Sequence, residues 1–238
     1  DYLTDKPLCP KCGDTGYAGS ATCECVKRRY ARLLKEQLSS VLPIEDQNFG
    51  KFNLGYYSTR MDPNMKDSPR ENMEDNLYEC KKYAKEFGES SPNLLMYGST
   101  GLGKTFLSTC IADAVSARGF SVAYDTAINI IAAYETIKFG TGDGAAAAER
   151  AARYERADLL IIDDMGTEMG TAFTVSALYN LINNRLMAHR PMIVNTNLLP
   201  DELKKRYSPA VASRLLGEFK QLRFFGDDIR MLKSRMQR

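Results

Sequence analysis

Residues Gly98-Ser99-Thr100-Gly101-Leu102-Gly103-Lys104-Thr105 follow the pattern G-x-x-x-x-G-K-[ST] over its whole length. Each position has a chemical reason. The glycines let backbone N–H groups turn inward around phosphate oxygens. Lys104 brings a point charge to the β and γ phosphates, and Thr105 offers a hydroxyl to Mg²⁺. Phe106 and the helix that follows aim further backbone amides at the same anion. The loop is therefore expected to hold ATP or ADP with Mg²⁺.

A second element serves the same chemistry. Leu159-Leu160-Ile161-Ile162-Asp163-Asp164 is an apolar strand ending in two carboxylates. Such a strand is a rigid arm that carries Asp163 to the Mg²⁺ coordination sphere, usually through water. Asp164 is then the candidate general base for the attacking water. A third strand ends in Asn195-Thr196-Asn197. If it lies between the other two, its tip stands beside the γ-phosphate, where Asn197 can hold water as both donor and acceptor.

Four of the six cysteines crowd the N-terminus as Cys9-x2-Cys12 and Cys23-x-Cys25. Four thiolates can close a tetrahedral Zn²⁺ site, and the Gly13–Tyr17 turn lets the chain fold back between the pairs. The alternative is free or redox-active thiols. Residues 1–26 hold too few apolar side chains to fold unaided, so a bound metal would supply the folding energy. Cys80 and Cys110 stand alone in helical stretches and read as small buried hydrophobes. The single histidine, His189, has no partner in the sequence and receives no role.

These residues need a frame. Strands are expected at 93–97, 121–125, 158–163, 192–197 and 221–225. Helices are expected at 26–41, 71–87, 104–118, 127–139, 145–156, 172–188, 200–205 and 209–218. Strand–helix alternation with near-continuous apolar strands predicts an α/β fold, a parallel five-stranded sheet between helices. Residues 140–152, with four consecutive alanines, read as a loop running into a helix. The expected organisation is a zinc-binding module (1–26), a connecting helix and linker (27–48) and an ATPase domain (49–238).

The chain has 238 residues, 44% hydrophobic and 26% charged, with a net charge of +2, the balance of an ordinary globular protein. Nothing approaches the roughly 20 apolar residues of a membrane helix, and no signal peptide opens the chain. A cytoplasmic setting with no membrane partner is expected. Basic residues cluster at Lys27, Arg28, Arg29, Arg32 and Lys35. From Asp201 onward there are ten Lys/Arg against five Asp/Glu.

Taken together, GSTGLGKT, ADLLIIDDMGTE and SRL resemble the AAA+ ATPases of the bacterial and phage helicase-loader group. These are the DnaC/DnaI type, to which the transposition helper IstB is related. The resemblance spans Phe49 to Arg230. It implies that Asn197 is a sensor-1 residue and that Arg214 is an arginine finger reaching the ATP of a neighbouring subunit. It also implies that Arg230 plays a sensor-2-like part, and that Phe49-Gly50-Lys51-Phe52 borders the adenine. The 41 residues after Asn197 are too few for a full helical lid, a shortage these loaders share. DnaI-type loaders carry a zinc-binding segment before the ATPase domain. By the same resemblance, Tyr134, Lys138 and Phe139 contact single-stranded DNA.

The resemblance thus implies an ATPase that oligomerises, binds a DnaB-type replicative helicase and single-stranded DNA, and is stimulated by assembly or DNA. Two alternatives stay open: an IstB-like transposition helper acting on duplex DNA, and an adaptor switched by ATP with little turnover. The family's main helicase-contacting element lies toward the N-terminus. Because the chain starts at Asp1, part of that element is expected to lie outside it.

Overall fold

The structure, a computed structural model, describes residues 7–39 and 41–236. The chain enters through a hairpin, β1 (Tyr17–Ala18) and β2 (Ala21–Thr22), followed by α1 (Glu24–Ser39). After a 3-10 turn at Leu54–Tyr56 comes α2 (Pro69–Glu86), which starts two residues before the expected position. Ser68 and Glu71 form a reciprocal capping box there, and Pro69 occupies the first turn. Such a cap contributes about 1 kcal/mol.

The main sheet is fully parallel. It comprises β3 (Asn93–Tyr97), β4 (Val122–Thr126), β5 (Leu159–Met165), β6 (Met192–Thr196) and β7 (Phe219–Arg223), in the order β4-β5-β6-β3-β7. The helices between them are α3 (Lys104–Ala117), α4 (Ala127–Phe139), α5 (Gly144–Arg156), α6 (Ala172–Met187), α7 (Pro200–Arg206) and α8 (Pro209–Gly217).

Period-two alternation sorts the strand side chains into two cores. Leu94, Met96, Leu159, Ile161 and Ile193 face α2 and α3. Leu95, Leu160, Ile162, Met192 and Val194 face α4 to α8. Every residue from Leu159 to Ile162 is fully buried, as a strand covered on both faces requires. Leu38, Leu42 and Ile44 pack into the first core, so the segment after α1 is tied to the sheet. Cys80 and Cys110 are buried, as expected.

The alanine run is helical. Asp143 caps α5, and Ala147, Ala151 and Tyr154 are buried. Two elements near the C-terminus also depart from expectation. Strand β7 starts at Phe219 because that residue is in register with Asn93. Past it lies a helix the periodicity did not predict, α9 (Ile229–Met236), which Asp228 caps by accepting from the Arg230 N–H at 2.8 Å. Among the described residues, no helix is long and apolar enough to cross a membrane.

Candidate functional site

The loop from Gly98 to Gly103 joins β3 to α3 at the C-terminal edge of the sheet. Gly98 (φ 136°) and Gly101 (φ 72°) hold backbone that L side chains rarely adopt. A Cβ on Gly98 would strike the Phe224 carbonyl, and one on Gly101 the Asp228 carboxylate. Lys104 is buried and donates to the carbonyls of Gly98 (2.6 Å) and Ser99 (2.7 Å). Burial lowers its pKa to about 8, against the opposing pull of Asp163 and Asp164.

Thr100 to Phe106 line a cleft of about 380 Å³ together with Asp164, Asn197 and Arg230. The structure therefore brings Lys104, Thr105, Asp164, Asn197 and Arg230 to one place. Strand β6 does lie between β3 and β5, as the Asn197 expectation required. Arg230 is exposed at the cleft mouth, close enough to Lys104 and Asp164 to lower the pKa of both.

The two aspartates are treated differently. Asp163 is 2% exposed and accepts from Thr105 Oγ1 (3.3 Å), Asn195 Nδ2 (2.9 Å), the Asp164 N–H (3.0 Å) and Tyr124 Oη (2.5 Å). The Asp164 carboxylate has no hydrogen-bond partner among the described residues. Its backbone sits at φ 51°, in the left-handed region. Burial and then the neighbouring Asp163 raise its pKa, while Lys104 and Arg230 oppose.

Of the aromatic wall, sequence reasoning placed Phe52 and Phe106 and missed Tyr57. The aromatic wall is Phe52, stacked on Tyr57 (5.9 Å between ring centres) and edge-on to Phe106 (5.4 Å); Tyr57 donates to the Leu102 carbonyl at 3.0 Å. Phe49 does not line this cleft but packs against the first core. Helix α9 closes the other side: the Ile229 N–H donates to the Gly101 carbonyl (3.0 Å), and Lys233 lies over the Tyr56 ring (4.9 Å). The signal for α9 was Asp228, a capping residue ahead of Ile229 and Leu232.

Beyond β5, Glu168 is buried. It accepts from the Gly166 N–H at 2.9 Å and from the Tyr207 hydroxyl, while Arg206 donates to its backbone carbonyl. Arg214 does not line its own chain's cleft. It half-buries in a hollow with Asn93 and Pro191, near the opposite edge of the sheet, donating to Asn183 and Tyr179 and lying 5.0 Å from the Tyr179 ring centre.

At the other end of the chain, the Sγ atoms of Cys9, Cys12, Cys23 and Cys25 all lie within 4.8 Å of one another. The Cys9–Cys23 and Cys12–Cys25 pairs are 3.8 and 3.5 Å apart. Tetrahedral Zn²⁺ with bonds of about 2.3 Å needs sulfur separations of about 3.8 Å, so the donor set fits the metal. Asp14 pins the first knuckle by accepting from the N–H groups of Leu8 and Cys9.

The expected DNA-contacting residues of α4 are differently engaged. Tyr134 is half-buried against the second core and donates to Glu155 (3.4 Å), and Phe139 packs on Phe173 (5.5 Å). Lys138 and Phe139 are both exposed.

Comparison with known proteins agrees with this geometry. A family profile described as "IstB-like ATP binding protein" matches residues 79–234. An ATP-binding protein of an insertion sequence in Mycobacterium tuberculosis is 26% identical over 129 residues, 54% of this chain and 50% of that protein. The replicative helicase loader DnaC of Escherichia coli K12 is 25% identical over 140 residues, 58% of this chain and 56% of DnaC. The chain thus spans about half the length of the curated relatives it matches. The structure of AMPPCP-bound DnaA from Aquifex aeolicus superposes with a TM-score of 0.61 at 22% identity, covering 81% of this chain and 55% of that one, a likeness of fold. With its phosphate loop, paired aspartates and parallel sheet in the order β4-β5-β6-β3-β7, the chain belongs to the IstB-like ATP-binding family of AAA+ P-loop proteins.

Proposed function

We propose that this protein hydrolyses ATP to ADP and phosphate and couples the cycle to loading a DnaB-type replicative helicase on single-stranded DNA. The observation that carries hydrolysis is the unequal setting of the two aspartates. Asp163 is immobilised by four donors, whereas the Asp164 carboxylate has no partner among the described residues, has a raised pKa and shares the cleft with Asn197. Bound Mg²⁺ would neutralise phosphate charge, with Thr105 and Asp163 holding it. Lys104 binds the phosphates, Asn197 orients the water and Asp164 takes its proton. Arg230 adds charge at the cleft mouth. Arg214, remote from its own cleft, acts on a neighbour's nucleotide, so assembly stimulates turnover.

In this reading the chain divides into a zinc module (1–26), a connecting helix and linker (27–48) and the ATPase domain (49–238). Zinc on Cys9, Cys12, Cys23 and Cys25 is structural, because four thiolates leave no open coordination position. The loader role is supported by the likeness to DnaC. The likeness to an insertion-sequence protein supports a second reading, a transposition helper acting on duplex DNA. Native mass spectrometry with the host's replicative helicase, with and without ATP, separates them. An ATP-dependent assembly of both proteins is expected. No assembly, with turnover stimulated by duplex and not single-stranded DNA, would replace the first reading with the second.

A further inference from the structure

The four donors on Asp163 are unevenly placed. Thr105, Asn195 and the Asp164 N–H all meet Oδ1, and Tyr124 alone meets Oδ2, at 2.5 Å. They come from four segments: α3, β6, β5 itself and the edge strand β4. Asn195 is fully buried and its Nδ2 is spent on Ser108 (2.8 Å) and Asp163, which fixes the amide's orientation. A buried carboxylate needs donors wherever it occurs. Three on Oδ1 leave Oδ2 with Tyr124 as its one donor among the described residues. A phenol reaching across from the neighbouring strand to the other oxygen adds a constraint on how the carboxylate plane is turned.

We infer that Tyr124 and Asn195 are positioning residues for the divalent cation, holding the Asp163 carboxylate in one orientation and so setting cation affinity. This rests on the reading of Asp163 as a cation-holding residue. Thr105 is the one donor whose hydroxyl is itself assigned to the cation. When it turns away, Asn195, the Asp164 N–H and Tyr124 still restrain both carboxylate oxygens. Outer hydrogen bonds to a metal-holding side chain are typically worth 10- to 100-fold in metal affinity.

The test uses the full chain with ADP and measures Mn²⁺ binding from the electron paramagnetic resonance signal of the free ion. Binding of a fluorescent ADP in chelator is measured alongside. Tyr124→Phe keeps the ring and removes only the donor. It is expected to weaken Mn²⁺ binding about 10-fold while metal-free ADP affinity stays at the wild-type value. Asn195→Ser should act in the same direction. Asp163→Asn should lose Mn²⁺ binding outright.

If Asp163→Asn loses the ion and Tyr124→Phe binds it like wild type, the clamp is overturned and the cation site stands. If Asp163→Asn itself keeps wild-type Mn²⁺ affinity, the reading of Asp163 fails and takes the clamp with it. An equal loss of metal-free ADP binding in Tyr124→Phe would also overturn the inference, because the tyrosine would then support the whole pocket.

Discussion

Tyr207 donates its hydroxyl to the buried carboxylate of Glu168, joining the loop after β5 to the turn between α7 and α8. Both partners are at most 5% exposed, so neither is compensated by water once the other is gone. Tyr207→Phe is expected to lower stability by about 2 kcal/mol, the scale of a hydrogen bond to a charged group, read from the denaturant midpoint. Glu168→Ala should cost more, because the Gly166 N–H and the Tyr207 hydroxyl are then both left without their acceptor.

Asp164→Asn should separate an ATPase from an ATP-operated switch. Asparagine tolerates the left-handed backbone at this position, so the loop is expected to keep its shape. Steady-state phosphate release should fall by about 10²- to 10⁴-fold, the usual worth of a general base, with nucleotide affinity retained. An unchanged slow rate in the variant would favour the switch.

Arg214→Ala is expected to bind ATP normally and to lose about 10³-fold in turnover, as removal of a trans-acting arginine does. Mixing is the sharper measurement. Subunits carrying Arg214→Ala and subunits carrying Asp164→Asn should regain activity together, since one supplies the intact site and the other the arginine. Mixtures no more active than either variant alone would return Arg214 to a packing role against Tyr179 and Asn183.

The cysteine module should bind one zinc ion per chain, measurable by elemental analysis, and Cys12→Ser should lose it. Chelation is expected to make Cys9, Cys12, Cys23 and Cys25 reactive toward a thiol reagent while Cys80 and Cys110 stay protected by burial. The main thermal transition should persist, because the first core is built around α2, α3 and the sheet and, among the described residues, takes none before α1.

Much of the site was legible because it is local. The phosphate loop is one contiguous segment whose glycines, lysine and threonine have fixed offsets, and Asp163 and Asp164 close a run of four consecutive apolar residues. Local periodicity likewise placed β3 and α4 to the residue and most other elements within two.

The remainder was decided by which strand lies beside which. Asn195 reads as a polar residue in a strand until β6 is laid against β5, and Tyr124 reads as core until β4 takes the edge position. Arg185 makes the same point in a helix. By spacing it is one charge among many, yet it is 1% exposed and donates to the carbonyls of Tyr154, Glu155, Ala157 and Pro191. A local pattern records whether a side chain is apolar or charged. Whether a charge meets water or a partner from a distant segment depends on strand order and helix docking, and these long-range contacts exist only in the folded chain.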